Sequence, residues 1–366
     1  MHFSARLLSW FFENRRPLPW RDTKDPYAIW VSEIILQQTR MDQGVPYYIR
    51  FVAAFPDVAT LARSEEGQVL RLWQGLGYYS RARNLHQSAR IIMEQRGGQL
   101  PASYQEWLSI RGVGPYTAAA IASIACGEPV AALDGNAYRV LSRIFALDAN
   151  MDTGPGRETF RQLAEDLLDP ARPGDFNQAL MDFGSMVCKP VKPFCPQCAF
   201  RRECLAFKSG SIQKYPVRQP RKRTRPRYFS YFFFYSSDKP GFFVQQRAGD
   251  DIWKHLFEFP MLESPEPLTG EMLAAHPWWT KLFPAGEEPV FTHSPLHITH
   301  QLTHQTIHAS FFNVRLEPEQ FERLKKVFVP SDENKFETLP KPRLVDRYME
   351  HLKRVGGLLY RPENAK

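Results

Sequence analysis

Apolar residues recur at helical spacing through the first 205 residues of the chain. An Asp25-Pro26 pair precedes one such run, and Asp at the N-cap followed by Pro at the first helical position is a common start of a helix. Few runs typical of strands occur in this part. The pattern therefore predicts an all-helical module over residues 1–205. Further helical runs cover residues 64–74, 81–95, 117–126, 137–147 and 157–168.

The pattern changes after this module. Residues 214–227 are rich in Lys, Arg and Pro and contain no Asp or Glu, a composition typical of a linker. Beyond them, the runs YFSYFFFYSS and PGFFVQQR predict an aromatic β-hairpin around a Ser-Asp-Pro-Gly turn region. We therefore predict a helical module (1–205), a basic linker (206–227) and an α+β domain (228–366).

The length and the net charge of the chain limit the classes of protein to which it can belong. With 366 residues, of which 43% are hydrophobic, the chain can build two or three cores. No apolar run approaches the length of a membrane span, so we expect a soluble protein without a membrane partner. The formal net charge of +8 and the isoelectric point near 9.2 favour a polyanionic partner.

Four of the five cysteines lie within seventeen residues, at Cys188, Cys195, Cys198 and Cys204. Disulfides are disfavoured because the count is odd and the N-terminal sequence lacks the features of a secretory signal. Clustered reduced thiols indicate a metal site. Zinc sites usually contain two short knuckles, and only Cys195 and Cys198 form one. A central pair with longer arms also suits a 4Fe–4S cluster, and the spacing alone leaves both possibilities open.

Gly112-Val113-Gly114 separates two helical runs. Two glycines allow a tight turn whose backbone N–H groups point outward at the start of the next helix, where a phosphate can bind. The alternative is an ordinary turn between two helices.

Two carboxyl groups are candidates for catalysis. Glu33 lies on a mostly apolar helix face, where burial would raise its pKa and keep it protonated as a general acid. It could also be a rim residue that reaches solvent. Asp134 precedes an amphipathic run and reads first as an N-cap, but a carboxylate held ionised at a helix start could also stabilise a cation. One protonated and one ionised carboxyl is the pattern for cleaving a glycosidic bond.

The chain resembles the adenine DNA glycosylase (MutY) family, within the endonuclease III-like helix-hairpin-helix superfamily. The resemblance covers about the first 205 residues and ends with the cysteine run. It rests on PLPWR (17–21), PYAIWVSEIILQQT (26–39), GLGYYSRARNL (75–85), GVGPYTAAAIAS (112–123), LDGNAYRVLSR (133–143) and FNQALMDFGSMVC (176–188).

The resemblance implies roles for these residues. The four cysteines would hold a structural, DNA-positioning 4Fe–4S cluster, with Lys189, Lys192, Arg201 and Arg202 facing phosphate. Glu33 falls on the catalytic acid, Asp134 on the carboxylate that stabilises or captures the sugar cation, and Tyr116 and Asn136 lie beside it. Sister enzymes that also cut the strand carry a lysine at the position of Tyr116, so a monofunctional enzyme is expected.

The resemblance also implies DNA contacts. Trp20, Arg21, Leu36 and Gln178 match the pocket for the flipped adenine. Gln38 and Tyr78 match residues that wedge into the base stack, and Gly112 and Gly114 match the hairpin. Without the family, helix surface and core packing would be the first interpretations of Gln38 and Tyr78. Cys126 is expected to be a packing residue.

The C-terminal half is less similar to the family. IWKHLFEFPML (252–262) resembles its nudix-like domain, but no Arg-Glu-x-x-Glu-Glu cluster follows, so this domain should read a base and not hydrolyse a nucleotide. Where relatives carry Phe-Ser-His against 8-oxoguanine, this chain has Leu302, Thr303 and His304. Five histidines lie within residues 291–312, and we expect hydrogen bonding there in preference to a metal site.

The sequence thus predicts a multidomain protein, an all-α helix-hairpin-helix DNA glycosylase module with an iron–sulfur loop followed by an α+β nudix-like domain. It would hydrolyse the N-glycosidic bond of adenine mispaired with 8-oxoguanine or guanine in duplex DNA. The alternative enzyme is an endonuclease III-type glycosylase/lyase acting on oxidised pyrimidines, and an inert DNA-binding or nucleotide-sanitising protein is the alternative outside that class. We expect a monomer in the bacterial cytoplasm, associated with the nucleoid.

Overall fold

The computed structural model describes residues 2–220, 224–284 and 286–355. Residues 221–223 of the predicted linker and 356–366 of the predicted second domain lie outside this description. Two compact units are present: Met1–Ser64 with Arg81–Pro220, and Glu65–Ser80 with Arg221–Lys366. The domain boundaries derived from composition stay a prediction. The grouping of Glu65–Ser80 with the second unit has no counterpart in the sequence pattern.

The first unit is helical, as predicted. Asp25 caps α2 by accepting hydrogen bonds from the backbone N–H groups of Tyr27 (3.0 Å) and Ala28 (3.3 Å), and Pro26 is the first helical residue. The helices of this unit are α1 (Phe3–Asn14), α2 (Pro26–Leu36), α3 (Met41–Ala54), α4 (Val58–Arg63), α6 (Ser80–Arg96), α7 (Tyr104–Leu108), α8 (Pro115–Ala125), α9 (Gly135–Phe145), α10 (Gly154–Leu167), α11 (Pro173–Met186) and α12 (Leu205–Lys208), and α5 (Glu66–Leu72) belongs to the second unit.

Helices α1, α9 and α11 build one hydrophobic core. Helix α9 turns its apolar stripe inward because its apolar residues recur every three or four positions. Gly184 lets α11 approach α9 closely, since a Cβ there would come within 2.6 Å of Asn136 Cβ. Buried members of the core include Leu7, Phe11, Val140, Leu141, Phe160, Phe176, Leu180 and Phe183.

The hairpin predicted at Gly112–Gly114 joins α7 to α8. Gly112 has a φ of +81°, which favours glycine, and a Cβ there would meet Asn84 Cβ at 2.8 Å. Gly114 is the N-cap of α8, and the Val113 N–H donates to the Ile110 carbonyl at 3.0 Å. The turn thus exposes the start of α8.

The second unit contains a mixed β-sheet, so the α+β prediction is confirmed. Strand β1 runs parallel to β7 along its whole length and pairs antiparallel with β4 and then β2. The predicted hairpin is present, with Tyr235 opposite Phe242. The strands are β1 (Arg225–Tyr235), β2 (Phe242–Gln246), β3 (Phe257–Glu258), β4 (Met261–Ser264), β5 (Val290–Phe291), β6 (Leu296–Gln301), β7 (Gln305–Arg315) and β8 (Val329–Ser331).

The aromatic run of β1 is buried on both faces of the sheet. Phe232 contacts Trp279 on one face, and Phe233 contacts Tyr348 on the other, because successive side chains of a strand point to opposite sides. Helices cover the sheet. They are α13 (Gly270–Ala274), α14 (Pro277–Leu282), α15 (Pro318–Leu324), α16 (Glu333–Thr338) and α17 (Arg343–Arg354).

Segment Glu65–Ser80 is bonded to the C-terminal part of the second unit at several points. Gln74 Nε2 donates to Asp346 Oδ2 at 2.9 Å, and the Tyr79 hydroxyl donates to the Lys341 carbonyl at 3.2 Å. Further contacts are Arg71 to the Thr338 carbonyl (3.4 Å), His255 to Glu66, and Tyr78 to Thr303.

No helix among the residues that the structure describes is long and apolar enough to cross a membrane.

Candidate functional site

Glu33 lies on the inner face of α2 and is 7% exposed. Burial raises its pKa to about 7, and the nearby Asp134 carboxyl acts in the same direction. A hydrogen bond with Tyr116 and the charge of Arg21 oppose this rise. The carboxyl is therefore buried and does not reach solvent as a rim residue, and near neutral pH much of it is protonated, as a general acid requires.

Asp134 is the N-cap of α9. Its carboxylate accepts hydrogen bonds from the backbone N–H groups of Asn136 (2.9 Å) and Ala137 (2.8 Å) and from Asn136 Nδ2 (2.6 Å). Burial nevertheless raises the pKa of Asp134, and these bonds only oppose that rise. The loss of hydration therefore raises the pKa of this carboxyl more than the donors at the helix start lower it.

A chain of hydrogen bonds fixes the Asp134 carboxylate from behind. Arg139 Nη2 donates to Asn136 Oδ1 at 2.6 Å, while its Nε donates to the Cys188 carbonyl at 2.7 Å. Because Arg139 occupies the amide oxygen of Asn136, the amide nitrogen faces Asp134. Arg139 was not predicted from the sequence, although it lies one helical turn after Asn136.

One cavity of about 360 Å³ brings the candidates together. The Tyr116 hydroxyl lies 2.9 Å from Met181 Sδ and also bonds to the Glu33 carboxyl. The volume is in the range of small-molecule sites. The predicted residues that line the cavity are Trp20, Arg21, Glu33, Leu36, Tyr116, Asp134, Asn136 and Gln178.

A buried polar network fixes one wall of the cavity. Arg21 Nη1 donates to Gln178 Oε1 at 2.6 Å, and Arg21 Nη2 donates to Asp182 Oδ2 at 2.8 Å. Asp182 also forms an ion pair with Arg16. With its oxygen bound to Arg21, Gln178 turns its NH₂ group away from that arginine. Asp182 and Arg16 were missed, although Asp182 follows Gln178 by one turn of α11.

Trp20 is buried beside this network, with its ring 4.7 Å from that of Tyr48 in an edge-on arrangement. Such a contact fixes the orientation of the indole at the cavity wall.

Gln38 and Tyr78 do not line the cavity. Both are exposed and both have a positive φ, of 58° and 48°. A positive φ is uncommon for residues with a side chain and is often found at functional sites. The structure thus places Tyr78 at the surface and not in a core. Gly112 and Gly114 also lie outside the cavity, at the hairpin before α8.

In the second unit, Thr303 and His304 lie in the turn between β6 and β7. The Leu302 N–H donates to the Gln305 carbonyl at 2.9 Å, which closes a tight turn. Thr303 and His304 are exposed, and the Thr303 hydroxyl is hydrogen-bonded to that of Tyr78.

The four clustered cysteines line a second cavity of the first unit. All are free thiols, and Arg143 Nη1 lies 3.6 Å from Cys188 Sγ. No group of three or more His, Cys, Asp or Glu among the described residues is placed to hold a single metal ion. The structure thus places the four thiols around one cavity.

Predictions were also made for Cys126, which lies outside the cysteine run, and for the basic residues within that run. Cys126 is exposed and forms the C-cap of α8, so its interpretation as a packing residue is wrong. Lys192, Arg201 and Arg202 are exposed, whereas Lys189 is half-buried with its ammonium 4.7 Å from the centre of the Phe194 ring.

Comparisons with known proteins agree with this architecture. Residues 31–170 match the HhH-GPD superfamily of base excision DNA repair proteins, and residues 231–351 match the NUDIX domain. The adenine DNA glycosylase of Buchnera aphidicola (subsp. Acyrthosiphon pisum) is 34% identical over 265 residues, which cover 72% of this chain and 75% of that protein. The human adenine DNA glycosylase is 43% identical over 213 residues, covering 56% of this chain and 39% of that one.

Two solved structures are similar to the helical module. A thermostable thymine-DNA glycosylase has a TM-score of 0.53 and 30% identity, covering 57% of this chain and 95% of that one. A trapped endonuclease III–DNA covalent intermediate has a TM-score of 0.50 and 19% identity, with 57% and 94% covered, and shows the fold alone. The predicted fold class is therefore confirmed. The chain belongs to the adenine DNA glycosylase family and is a DNA glycosylase with a helix-hairpin-helix module followed by a NUDIX-like domain.

Proposed function

We propose that the chain removes adenine mispaired with 8-oxoguanine or guanine in duplex DNA and leaves an abasic site. The observation that carries this proposal is the cavity in which Glu33, with a pKa of about 7, lies with Asp134. Two carboxyl groups that share a nucleobase-sized cavity suit cleavage through an oxocarbenium-like state.

In the proposed reaction, protonated Glu33 donates its proton to a ring nitrogen of adenine as the bond between the base and C1′ breaks. The electron pair of that bond leaves with the base, and the sugar becomes a cation. Asp134, fixed by Asn136, stabilises this cation or captures it covalently. Glu33, now ionised, accepts a proton from the water that adds to C1′.

Tyr116 argues for a monofunctional enzyme. A phenol cannot form the Schiff base through which a lysine would cut the strand. Tyr116 instead hydrogen-bonds with Glu33, and burial with the two nearby carboxyls raises its pKa well above the ordinary value, so the phenol stays neutral. An endonuclease III-type lyase would need an amine in its place.

The adenine itself would enter against Trp20, Leu36 and the Arg21–Gln178 pair. The NH₂ group of Gln178, left free by Arg21, can donate to an acceptor nitrogen of the base. Gln38 and Tyr78, exposed and in left-handed backbone conformations, would enter the base stack while the nucleotide flips out.

We also propose that the four clustered cysteines hold a 4Fe–4S cluster, which would stabilise the loop and leave hydrolysis to the carboxyl groups. Arg143 supports the loop, because Nη1 donates to the Lys189 carbonyl at 2.7 Å and Nη2 to the Pro190 carbonyl at 3.0 Å. The exposed Lys192, Arg201 and Arg202 would contact DNA phosphates.

The second unit would read the base opposite adenine through Thr303 and His304. Thr303 offers a hydroxyl that can donate and accept hydrogen bonds. Because no Arg-Glu-x-x-Glu-Glu run follows residue 262, we assign this unit to recognition and not to nucleotide hydrolysis. We further propose that the chain acts as a monomer on duplex DNA in the bacterial cytoplasm, at the nucleoid.

One assay tests the proposal. Purified protein is incubated with duplexes that pair adenine with 8-oxoguanine, guanine or thymine and with a duplex that contains an oxidised pyrimidine, and strand cleavage is scored before and after alkali. We expect cleavage only after alkali, and first in the 8-oxoguanine duplex. Cleavage without alkali, with a borohydride-trapped adduct on an oxidised pyrimidine, would favour the endonuclease III-type reaction. No product from any duplex would exclude both enzymes.

A further inference from the structure

The last residues of the first unit lie against the body of that unit. Arg143 Nε donates to the Tyr215 carbonyl at 3.3 Å, and the Gln219 N–H donates to Asp152 Oδ2 at 2.9 Å. Arg218 lies between these two attachment points, so its backbone is held from both sides.

Arg218 is placed beside the start of α9, next to Asp134. Its Nη2 atom would be 3.9 Å from a Cβ added to Gly135, the first residue of α9 and the neighbour of Asp134. Arg218 is exposed, and no acidic side chain among the described residues forms an ion pair with it. The position is thus a cation without an acidic partner at the start of α9.

The reaction brings an anion to this place. If the sugar of the target nucleotide lies at Asp134, a phosphodiester attached to that sugar must pass within a few ångströms of it. Gly135 has no side chain to block the approach, and a Cβ there would touch only the Arg218 guanidinium. An arginine with free donors suits a phosphate because its N–H groups match the phosphate oxygens.

We propose that Arg218 binds a DNA phosphate that flanks the nucleotide whose base enters the cavity, so that the interdomain linker contributes a positioning residue to the reaction. This inference rests on the proposed function for the place of the sugar, but its test measures binding and needs no excision.

The test compares Arg218→Gln with Lys214→Gln in the full-length protein. The Lys214→Gln substitution removes the same charge from the same segment. It is the matched control because Lys214 is paired with Asp148 at 2.7 Å. Affinity for a duplex with an uncleavable abasic-site analogue opposite 8-oxoguanine is measured between 50 and 200 mM salt. One lost phosphate contact lowers the slope of log K against log[salt] by about 0.9. We expect that change for Arg218→Gln, a slope close to wild type for Arg218→Lys, and no change for Lys214→Gln.

A second measurement identifies the phosphate. A methylphosphonate replaces, in turn, each phosphate that flanks the analogue. At one position it should weaken wild-type binding several-fold and leave Arg218→Gln binding unchanged. The inference would be overturned if the salt slope of Arg218→Gln equalled that of wild type, or if Lys214→Gln changed the slope by as much. It would also be overturned if the losses of affinity from Arg218→Gln and from the methylphosphonate were additive at every position. A protein that excises no adenine yet gives the expected slopes would refute the proposed reaction and leave the phosphate contact standing.

Discussion

Glu33 shows how a single buried side chain can acquire catalytic chemistry. Most glutamates are ionised at neutral pH, but burial on the inner face of α2 raises the pKa of this one to about 7. The helix pattern predicted the apolar surroundings, since Ile29 and Leu36 lie within one turn. It could not predict the Tyr116 contact, which depends on how α8 packs beside α2.

Glu33→Gln should abolish excision while duplex binding survives, because an amide cannot donate the proton. Loss of one general acid typically slows a reaction by about 10²–10⁴-fold. Single-turnover rates and binding titrations on the same duplex measure the two effects, with Glu94→Gln, an exposed glutamate of α6, as the control. A rate above one tenth of wild type would exclude the assigned role.

The same pKa also predicts a dependence of stability on pH. The pKa of Glu33 is about 7 in the folded protein and has its ordinary value of 4.5 in the unfolded chain, so between these pH values Glu33 holds its proton more tightly when folded. The free energy of unfolding therefore falls as pH rises through this window, by roughly 3 kcal/mol in total from this group. Glu33→Gln removes this dependence.

Urea unfolding of both proteins at pH 5 and pH 7.5 measures this difference. The variant should gain stability relative to wild type as the pH increases. A difference between the two proteins that stays constant from pH 5 to pH 7.5 would show that Glu33 is not protonated in the folded state.

At the scale of elements, the N-cap of α9, Asp134, is also the carboxyl group proposed for catalysis. Asp134→Asn should keep the cap, because asparagine also accepts hydrogen bonds from the first backbone N–H groups, and should lose excision, because it carries no charge. Asp134→Ala should lose both the cap and excision. The missing cap should lower the free energy of unfolding by about 0.5–2 kcal/mol. Thermal unfolding and single-turnover rates separate these effects. Full activity in the Asn variant would leave Asp134 with the capping role alone.

The cysteine loop has little regular structure of its own, with a short 3-10 turn at Cys195–Gln197 and the four-residue α12. Such a segment would depend on the proposed cluster for its stability. As-purified protein should therefore be brown and contain about four irons. Cys198→Ser should lower the unfolding temperature of the module and not merely slow catalysis. Metal analysis and calorimetry test this, and a colourless protein with one zinc would refute the cluster.

The β6–β7 turn should determine the preference for the opposite base. A buried hydrogen bond to 8-oxoguanine would contribute about 0.5–1.5 kcal/mol, or roughly two- to tenfold in affinity. Thr303→Ala combined with His304→Ala should therefore weaken binding to the 8-oxoguanine duplex and spare the guanine duplex. Leu302 keeps apolar bulk without an aromatic face, so Leu302→Ala serves as the comparison and should matter less. Equal loss on both duplexes would indicate that the turn only supports the fold.

The helices and turns were largely predictable from the sequence, whereas the hydrogen-bond partners of their side chains were not. Asp25-Pro26 and the Gly112 turn are set by residues next to one another in the sequence, so local chemistry was enough. The Arg21–Asp182 bond joins residues that only tertiary packing brings together, and so does the bond from Arg139 to the Cys188 carbonyl. Cys126 was misjudged because small neighbours suggested burial, whereas α8 ends there at the surface.

At the scale of the whole molecule, the cavity proposed for catalysis and the cysteine cavity both belong to the first unit, and the turn proposed to read the opposite base belongs to the second. Arg139 connects the two cavities through the Cys188 carbonyl and Asn136. Tyr78 lies in the segment of the second unit that is inserted early in the sequence, and it bonds to Thr303. The proposed wedge and the proposed reader of the opposite base therefore share one structural unit.

This discontinuous unit has a consequence for biosynthesis. Residues 65–80 leave the ribosome long before Thr338, Lys341 and Asp346, to which they bond. At bacterial elongation rates the interval is on the order of tens of seconds. During that time the nascent chain carries an insert without its packing partners, exposed to chaperones and proteases. A premature stop codon anywhere between residues 220 and 338 would leave Arg71, Gln74 and Tyr79 permanently without these three partners, so even late truncations would damage a segment encoded near the start of the gene.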